Sequence, residues 1–273
     1  MKLRRLILLS ASLSLSLTST ASALCNRVYV WGLATNSITE KEKTISISQL
    51  ASALSNEIKK RMDCIFTDIP MTFEKVPKEF RNHRIDGFAF TFVHSSLTEN
   101  ADTLVLYRTQ RILLLAKKYY RPGITVSQYL HDKSLRFAAV TGGRLFFLPE
   151  EIDYLRKQKR LIENPFPDDV AGLVANGKAQ ATITSPSYLT RYHKDNLFQD
   201  KLVEIPDPDG FLDIALFLSK KRINAAEKAK FIEVIDQMKK DGTIKKVLLN
   251  YVSEDYFNKY YQIDVPTLPA QTK

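Results

Sequence analysis

The chain has 273 residues, of which 44% are hydrophobic and 26% charged, and its formal net charge is +10. This composition is ordinary for a globular protein that buries one large core or two medium ones. Glycine occurs only 9 times, and neither GxxxxGK[ST] nor GxGxxG is present, which argues against a glycine-rich phosphate loop.

The first 23 residues have the layout of a secretory signal peptide. Lys2, Arg4 and Arg5 form a basic start, residues 6–17 are apolar and serine-rich, and Ala-Ser-Ala at 21–23 resembles a cleavage site. No later stretch is apolar enough to span a membrane. We therefore expect a soluble, exported, periplasmic mature chain.

Export also bears on the charge. Removing the three basic residues of the signal from the total of 40 leaves 37 against 30 acidic residues, an excess of about +7. The remaining basic residues are scattered over helix faces, which are usually just solvated. Nucleic acid is not expected as a partner outside the cytoplasm, whereas an anionic ligand or an anionic envelope surface stays open.

Cys25 and Cys64 each stand at the start of a predicted strand, Asn26–Leu33 and Ile65–Phe73. If the two strands are parallel neighbours, their starting ends lie together and a disulfide is feasible in an oxidising compartment. The alternative is two buried free thiols. A lipid anchor at Cys25 is disfavoured, because Leu24 stands where such signals need a small side chain.

Hydrophobic periodicity predicts alternating helices and strands along the rest of the chain. Thr35–Lys43 is a polar loop, and a serine near the start of the first helix is its expected cap. The predicted helices include 46–62, 126–130, 150–159, a helix capped by Asp168, 225–239 and 243–251. The predicted strands include 113–116, 135–140, 160–164 and 211–219.

Two stretches repeat the order helix, turn, buried strand, polar loop. The first runs from Val76 to Ser96, and the second from Asp168 to His193, where Ser185 follows the strand Ala179–Ile183. Two such units about 95 residues apart favour two lobes of like architecture. The alternative is one α/β domain, since any such domain contains several of these units.

We therefore expect an α/β fold of two lobes, joined by two hinge strands and separated by a cleft. The predicted limits are 24–117 and 211–262 for a discontinuous lobe 1, 118–210 for an inserted lobe 2, and 263–273 for a trailing tail. In open α/β sheets, ligands bind outside the carboxyl ends of the strands.

Three segments carry a resemblance to a known family. The helix-Gly-strand unit at Leu173–Thr184, the segment 231–244 with its Asp-Gly-Thr at 241–243, and the strand leading into Thr141 resemble those of type II periplasmic solute-binding proteins. The polar amino-acid-binding branch (family 3) of ABC transporter substrate-binding proteins is the most similar. The resemblance implies a monomer that captures a small-molecule ligand and presents it to an inner-membrane permease complex.

The residues that clamp an amino acid in that family are missing here. The slot for the carboxylate-binding Arg falls near Thr98–Asn100, which contains no Arg, and Ser185 stands where the ammonium-binding Asp is expected. Gln180 replaces the Asp of the glycine signature. A buried charge without its partner is costly, so we expect a small polar or anionic solute rather than an ordinary α-amino acid.

Several residues are candidates for the ligand site. The loop of Thr141, Gly142, Gly143 and Arg144 either receives an anionic group or is a plain turn. Trp31 and Phe92 either stack on a ligand or pack in the core. The remaining candidates offer neutral hydrogen bonds or a substitute guanidinium; they are Ser95, Asn100, Ser185, Arg108 and Arg111.

No catalytic, cofactor-binding or metal-binding group is expected. The four histidines stand apart without metal-ligand spacing, and no GxSxG elbow occurs. Two alternatives to a transport function stay open. One is a periplasmic sensor or interaction module that kept the fold, and the other is a dehydratase-like enzyme that would need a cleft acid such as Glu99 or Asp102.

Overall fold

The computed structural model describes residues 26–39, 44–93, 95–141, 146–194 and 200–268, and shows helices packed on a central sheet. The strands are β1 (Tyr29–Thr39), β2 (Thr44–Ile47), β3 (Phe66–Met71), β4 (Gly87–Phe92), β5 (Ala101–Ala116), β6 (Phe137–Val140), β7 (Leu161–Asn164), β8 (Ala181–Thr184), β9 (Leu202–Ser219) and β10 (Tyr261–Gln262). The helices are α1 (Gln49–Met62), α2 (Val76–Arg81), α3 (Ser95–Thr98), α4 (Val126–His131), α5 (Pro149–Lys157), α6 (Pro167–Ala175), α7 (Pro186–Lys194), α8 (Ala225–Lys240), α9 (Thr243–Leu248) and α10 (Glu254–Tyr260).

Two long antiparallel strands, β5 and β9, run through the middle of the sheet. The strand order is β2-β1-β4-β9-β5-β8-β6-β7, with β3 beside β1 and β10 beside β5. We call the β1–β4 side lobe 1 and the β6–β8 side lobe 2. Because β5 and β9 belong to both sides, they are the two hinge strands, and the predicted two-lobed α/β fold is confirmed.

The strand directions place a cleft across the middle of the hinge strands. The carboxyl end of β4 lies level with Tyr107 of β5, since Phe92 and Tyr107 both pair with Ile214. The carboxyl end of β8 lies level with Ile112, which pairs with Thr184. The strands of the two lobes therefore point at each other, and their ends are about 17 Å apart along β5.

Alternation along β1 sends its odd-numbered side chains into the core of lobe 1. Trp31 is fully buried, stacks on Phe231 of α8 at 5.8 Å and contacts Phe66 edge-on. It pairs in register with Gly87, at the amino end of β4. Trp31 is therefore a core residue, and its ring does not reach the cleft.

Gly87→Ala is expected to lower the free energy of unfolding by about 1–3 kcal/mol, the usual cost of overpacking. A methyl group there would lie against the ring of Trp31, 2.7 and 2.8 Å from two of its atoms. Urea unfolding monitored by circular dichroism measures the change. The matched control is Gly172→Ala in α6, where no atom lies within 4 Å of the added carbon; better helix propensity should make it about 0.5–1 kcal/mol more stable.

A buried ionic network lies at the amino end of β4, away from the cleft. Asp86 is fully buried and accepts hydrogen bonds from Arg27 at 2.7 Å, Arg222 at 2.9 Å and the backbone N–H of Val30 at 2.7 Å. Burial acts to raise the pKa of Asp86, but the hydrogen bonds from Arg222, Val30 and Arg27 outweigh it and hold the pKa below its ordinary value.

Glu227 extends this network onto α8. It accepts a hydrogen bond from the Tyr29 hydroxyl at 2.6 Å and one from Arg27 at 3.2 Å, and it also accepts from the N–H of its own helix cap, Asn224, at 2.8 Å. Burial acts to raise the pKa of Glu227, and these donors lower it overall. The charged forms of both carboxylates therefore stabilise lobe 1.

Acid should destabilise the protein through these two carboxylates. Because their pKa values are lowered in the folded state, the stability they contribute is complete above the unfolded pKa values of about 4 and is lost as the pH falls through the folded values. We expect the melting temperature to fall steeply below about pH 4. In Asp86→Asn this acid-dependent fall should be shallower; an unchanged slope would contradict the prediction.

The structure differs from the sequence prediction at β1 and β2 and at the start of α6. Residues 35–39, expected in a polar loop, pair antiparallel with residues 44–47, of which 46 and 47 were expected to begin the first helix. The cap of α6 is Phe166, and Asp168 lies inside the first turn. Ser48 is the cap of α1, as predicted, and accepts from the N–H of Ala51 at 3.3 Å.

The start of the predicted tail is held against lobe 1. The N–H of Val105 in β5 donates to Thr267 O at 2.6 Å, and Lys239 Nζ donates to Val105 O and to Val265 O, each at 2.8 Å. The chain is therefore held against lobe 1 as far as Thr267. The tail limit of 263–273 stays a prediction.

The predicted signal peptide and Cys25 lie outside the described residues, so the disulfide stays a prediction. Cys64 is half-buried, with Sγ 3.3 Å from Met62 O, and the neighbouring Ile65 O accepts a hydrogen bond from Tyr29 N at 2.9 Å. β1 and β3 are parallel neighbours, as the proposed bridge requires. No helix in the described ranges is long and apolar enough to cross a membrane.

Candidate functional site

Aromatic side chains meet across the cleft. The ring of Phe92, at the end of β4, lies 6.3 Å from the ring of Phe146, which precedes α5. Phe146 in turn lies 6.5 Å from Tyr188 in α7. We call these three residues the aromatic bridge. It joins the carboxyl-end region of lobe 1 to that of lobe 2, and both phenylalanines are buried.

Phe146 has an unusual backbone conformation. Its φ is +62°, in the left-handed region that bulky residues rarely adopt. The guanidinium of Arg111 donates to the carbonyl oxygen of Phe146 at 3.4 Å. Strained residues of this kind persist where their surroundings hold them and often mark functional sites.

Arg111 is the centre of a buried ion triad at the hinge. It opposes the bulged segment 207–210 of β9 and is only 5% exposed. Its guanidinium donates to both carboxylate oxygens of Glu151 in α5, at 2.7 and 2.9 Å, and to Asp207 at 2.6 and 2.8 Å. Burial acts to lower the pKa of Arg111, but Glu151 and Asp207 raise it overall. The charge of the Arg111 guanidinium is thus neutralised by carboxylates of the protein itself.

A small cavity opens beside the bridge in lobe 2. It lies between the start of α6 and the carboxyl ends of β6 and β8, and its empty volume, counted out to its mouth, is about 290 Å³. Its lining is mostly apolar, with two threonine hydroxyls; the lining includes Val140, Pro167, Val170, Ala171, Thr184 and Tyr188.

The C-terminal segment 254–262 packs against the hinge strands. Tyr256 of α10 donates to Glu204 Oε2 at 2.8 Å, on the part of β9 that pairs within lobe 2. Tyr261 of β10 pairs with Thr109 of β5. Burial raises the pKa of Tyr261 to about 12, while the nearby Ser187 of α7 acts to lower it. This segment therefore contacts both hinge strands and lobe 2.

Some predicted site residues lie at the edges of the cleft. Phe92 and Ser185 lie at strand ends that face each other, and Ser185 Oγ is buried 2.9 Å from Ser187 Oγ. Thr141 directly follows β6, half-buried, and its N–H donates to Asn164 O at 2.8 Å. Ser95 begins α3, just past β4.

The loop expected to receive an anionic group is not covered by the structure. Gly142, Gly143 and Arg144 lie outside the described residues, so their role stays a prediction.

Other predicted residues lie elsewhere. Asn100 precedes β5 near Ser219, level with the amino end of β4 and about 20 Å from the cleft edge of that strand. Asp102 in the same region pairs with Lys228 at 2.9 Å. Asp102 therefore does not lie at the cleft, where a dehydratase would need its catalytic acid. Arg108 does lie on the part of β5 that spans the cleft, but it pairs with Asp213.

Sequence reasoning missed most of the bridge and the triad. Phe146 and Tyr188 carry no motif, and Glu151 and Asp207 reach Arg111 from segments 40 and 96 residues away. The Asp-Pro-Asp-Gly run at 207–210 was the available signal, since such a run marks a turn or bulge inside a strand. In the described part of the chain, no group of His, Cys, Asp and Glu is arranged to hold a metal ion.

No family model and no curated protein sequence matches the chain. Solved structures do match. A histidine kinase sensor domain with similarity to periplasmic binding proteins has 14% identity and a TM-score of 0.65, covering 83% of this chain and 96% of that one. A mutant of ArgBP from T. maritima has 14% identity and a TM-score of 0.63 over 83% and 96%. The amino-acid ABC transporter substrate-binding protein AbpA from Streptococcus pneumoniae, bound to L-arginine, has 14% identity and a TM-score of 0.64 over 85% and 94%.

The chain therefore has the type II periplasmic-binding-protein fold, as the resemblance implied. The structures it is similar to are amino-acid-binding proteins of ABC transporters and a sensor domain of the same build, and they are binding proteins rather than enzymes. At this level of identity the likeness defines the fold, and the solute is a separate question.

Proposed function

We propose that this protein is an exported, periplasmic, monomeric solute-binding protein that captures a small solute between its lobes for an ABC-type permease. The observation that carries the proposal is the pair of facing strand ends across β5 and β9, with a cavity and the aromatic bridge at that point. Closure of two lobes on a ligand is the motion that such hinge strands allow. The similarity to binding proteins of ABC transporters supports the same function.

An ordinary α-amino acid is a poor fit for this cleft. Its carboxylate needs a guanidinium, yet of the two candidate arginines that the structure describes, Arg111 is held by Glu151 and Asp207, and Arg108 pairs with Asp213. Ser185 offers only a hydroxyl where an ammonium would need a carboxylate. We therefore propose a solute that is not a zwitterion.

A ligand screen with a shape measurement tests the proposal. The mature chain is heated with amino acids, organic acids, amides, alcohols and sugars, and a true ligand at about 100 times its Kd should raise the melting temperature by about 5–10 °C. Small-angle X-ray scattering should then show a smaller radius of gyration. The absence of any shift in melting temperature or radius across all classes would contradict the proposed function.

A second candidate is a sensor or interaction module whose cleft is filled by its own side chains. The direct ring contact between Phe92 and Phe146 across the cleft favours it, because this contact stabilises the closed arrangement from within. One of the similar structures is a sensor domain.

Phe146→Ala separates the two candidates. If the bridge holds the lobes together, the variant should have a larger radius of gyration than the wild type in buffer. Its affinity for every solute tested should be no higher than that of the wild type. If the cleft serves a solute, the variant should change solute affinity. Phe257→Ala, which removes a ring stacked on Tyr261 in the C-terminal segment, is a control for general loss of aromatic packing.

A further inference from the structure

The cavity in lobe 2 has a chemical character that narrows the solute class. Its walls come from three elements: Val170 and Ala171 on α6, Val140 at the end of β6, and Thr184 at the end of β8. No described residue in its lining carries a charge. A charged group entering such a site would lose its hydration without gaining a partner, which is strongly unfavourable.

Two acidic residues adjacent in sequence to the cavity lining disfavour an anion. The start of a helix ordinarily favours negative charge, but α6 already carries Asp168 and Asp169 in its first turn. Across the cleft region, the cation of Arg111 is held between Glu151 and Asp207 and is buried. Among the described residues, the surroundings therefore neither attract an anionic group nor offer it a buried counterion.

The cavity does offer hydrogen bonding. Thr182 and Thr184 lie two residues apart on β8, so their side chains project from the same face of the sheet, toward α6. Tyr188 of the aromatic bridge forms part of the same wall. An apolar enclosure with a few hydroxyl groups suits a molecule with an apolar body and one neutral polar group.

We propose that this cavity binds the apolar body of a small, uncharged solute, of the class of short branched or cyclic amides and alcohols, with a threonine hydroxyl of β8 contacting its polar group. This inference rests on the proposed solute-binding function and goes beyond it by naming the class. It narrows the polar or anionic solute expected from the sequence.

Three probes with one carbon skeleton test the charge preference. Isobutyramide, isobutyrate and isobutylamine are titrated into the mature chain, with ligand-observed NMR at millimolar concentrations as the readout. The amide should bind at least about tenfold more tightly than either ion, because only the ions must give up charge hydration.

Two variants and a matched control test whether isobutyramide binds in this cavity. Val170→Ala removes two methyl groups from the cavity wall and should weaken isobutyramide binding about fivefold. Val174→Ala makes the same change one turn further along α6, at a buried position outside the cavity lining, and should leave the affinity within about twofold. Thr184→Val keeps the volume and removes the hydroxyl, and should weaken the amide about fivefold.

The outcomes separate this inference from the proposed function. Tighter binding of isobutyrate or isobutylamine, or equal effects of Val170→Ala and Val174→Ala, would overturn the inference alone. A charged solute from the ligand screen that closes the lobes would do the same while supporting the proposed function. Failure of every probe and every solute would overturn both.

Discussion

Arg111→Met is expected to lower the free energy of unfolding by about 3–5 kcal/mol, the range found when one member of a buried ionic group is removed. The substitution leaves Glu151 and Asp207, 12% and 16% exposed, facing each other without the cation between them. It also removes the donor to Phe146 O. Urea denaturation at pH 7 measures the loss, and a variant as stable as the wild type would show that the triad contributes nothing.

Another arginine on β5 supplies the control for Arg111. Arg108 lies three residues earlier on β5, is 45% exposed and pairs with Asp213. Arg108→Met should cost less than about 1 kcal/mol, because water replaces an exposed ion pair at little cost. A triple variant, Arg111→Met with Glu151→Leu and Asp207→Leu, should regain much of the lost stability, since no charge is then buried unpaired.

Asp86→Ala is expected to cost about 3 kcal/mol. It removes the acceptor of two guanidinium groups and of Val30 N–H from a fully buried position. The cost stays at the lower end of the range because Arg27 and Arg222 are 29% and 32% exposed and can turn to water.

An exposed aspartate provides the comparison for Asp86. Asp153 is 54% exposed and pairs with Arg156 three residues away on α5. Asp153→Ala should change the free energy of unfolding by no more than about 0.5 kcal/mol. Equal effects of the two substitutions, measured in parallel thermal melts, would mean that the buried network is not a stabilising feature.

The sequence could predict the fold because its strongest signals are local. The stripe at Leu54 and Ile58 and the serine cap identify α1, and the dense apolar run at 113–116 identifies part of β5. The pairing of residues 35–39 with 44–47 was not predicted, because these residues are mostly polar and the sequence between them has no Asn-Gly or Asp-Gly turn signal. α10 was missed although Ser253 caps it and two acidic residues follow, a start signal that sequence reasoning had available.

The candidate site was less predictable, because its position depends on strand parity and on long-range pairing. Trp31 was left open between the cleft and the core, and one residue of shift along β1 decides between them. Asn100 follows the single turn of α3, after which the chain has already returned to the far end of lobe 1. No local sequence pattern predicts that Arg111 contacts Glu151 and Asp207 rather than a ligand, since the partners of Arg111 depend on how β9 bulges beside β5.

Because β5 and β9 are continuous through both lobes, the two lobes are not independent units. Each lobe contains only half of the residues in these two strands, and the ladder from Ala101–Ser219 to Ala116–Leu202 crosses the boundary. Cutting the chain into two separate pieces would leave each with frayed, unpaired edges that invite aggregation. We therefore expect the halves to melt in one calorimetric transition, and any exchange of one half with a relative would have to preserve the register of both shared strands.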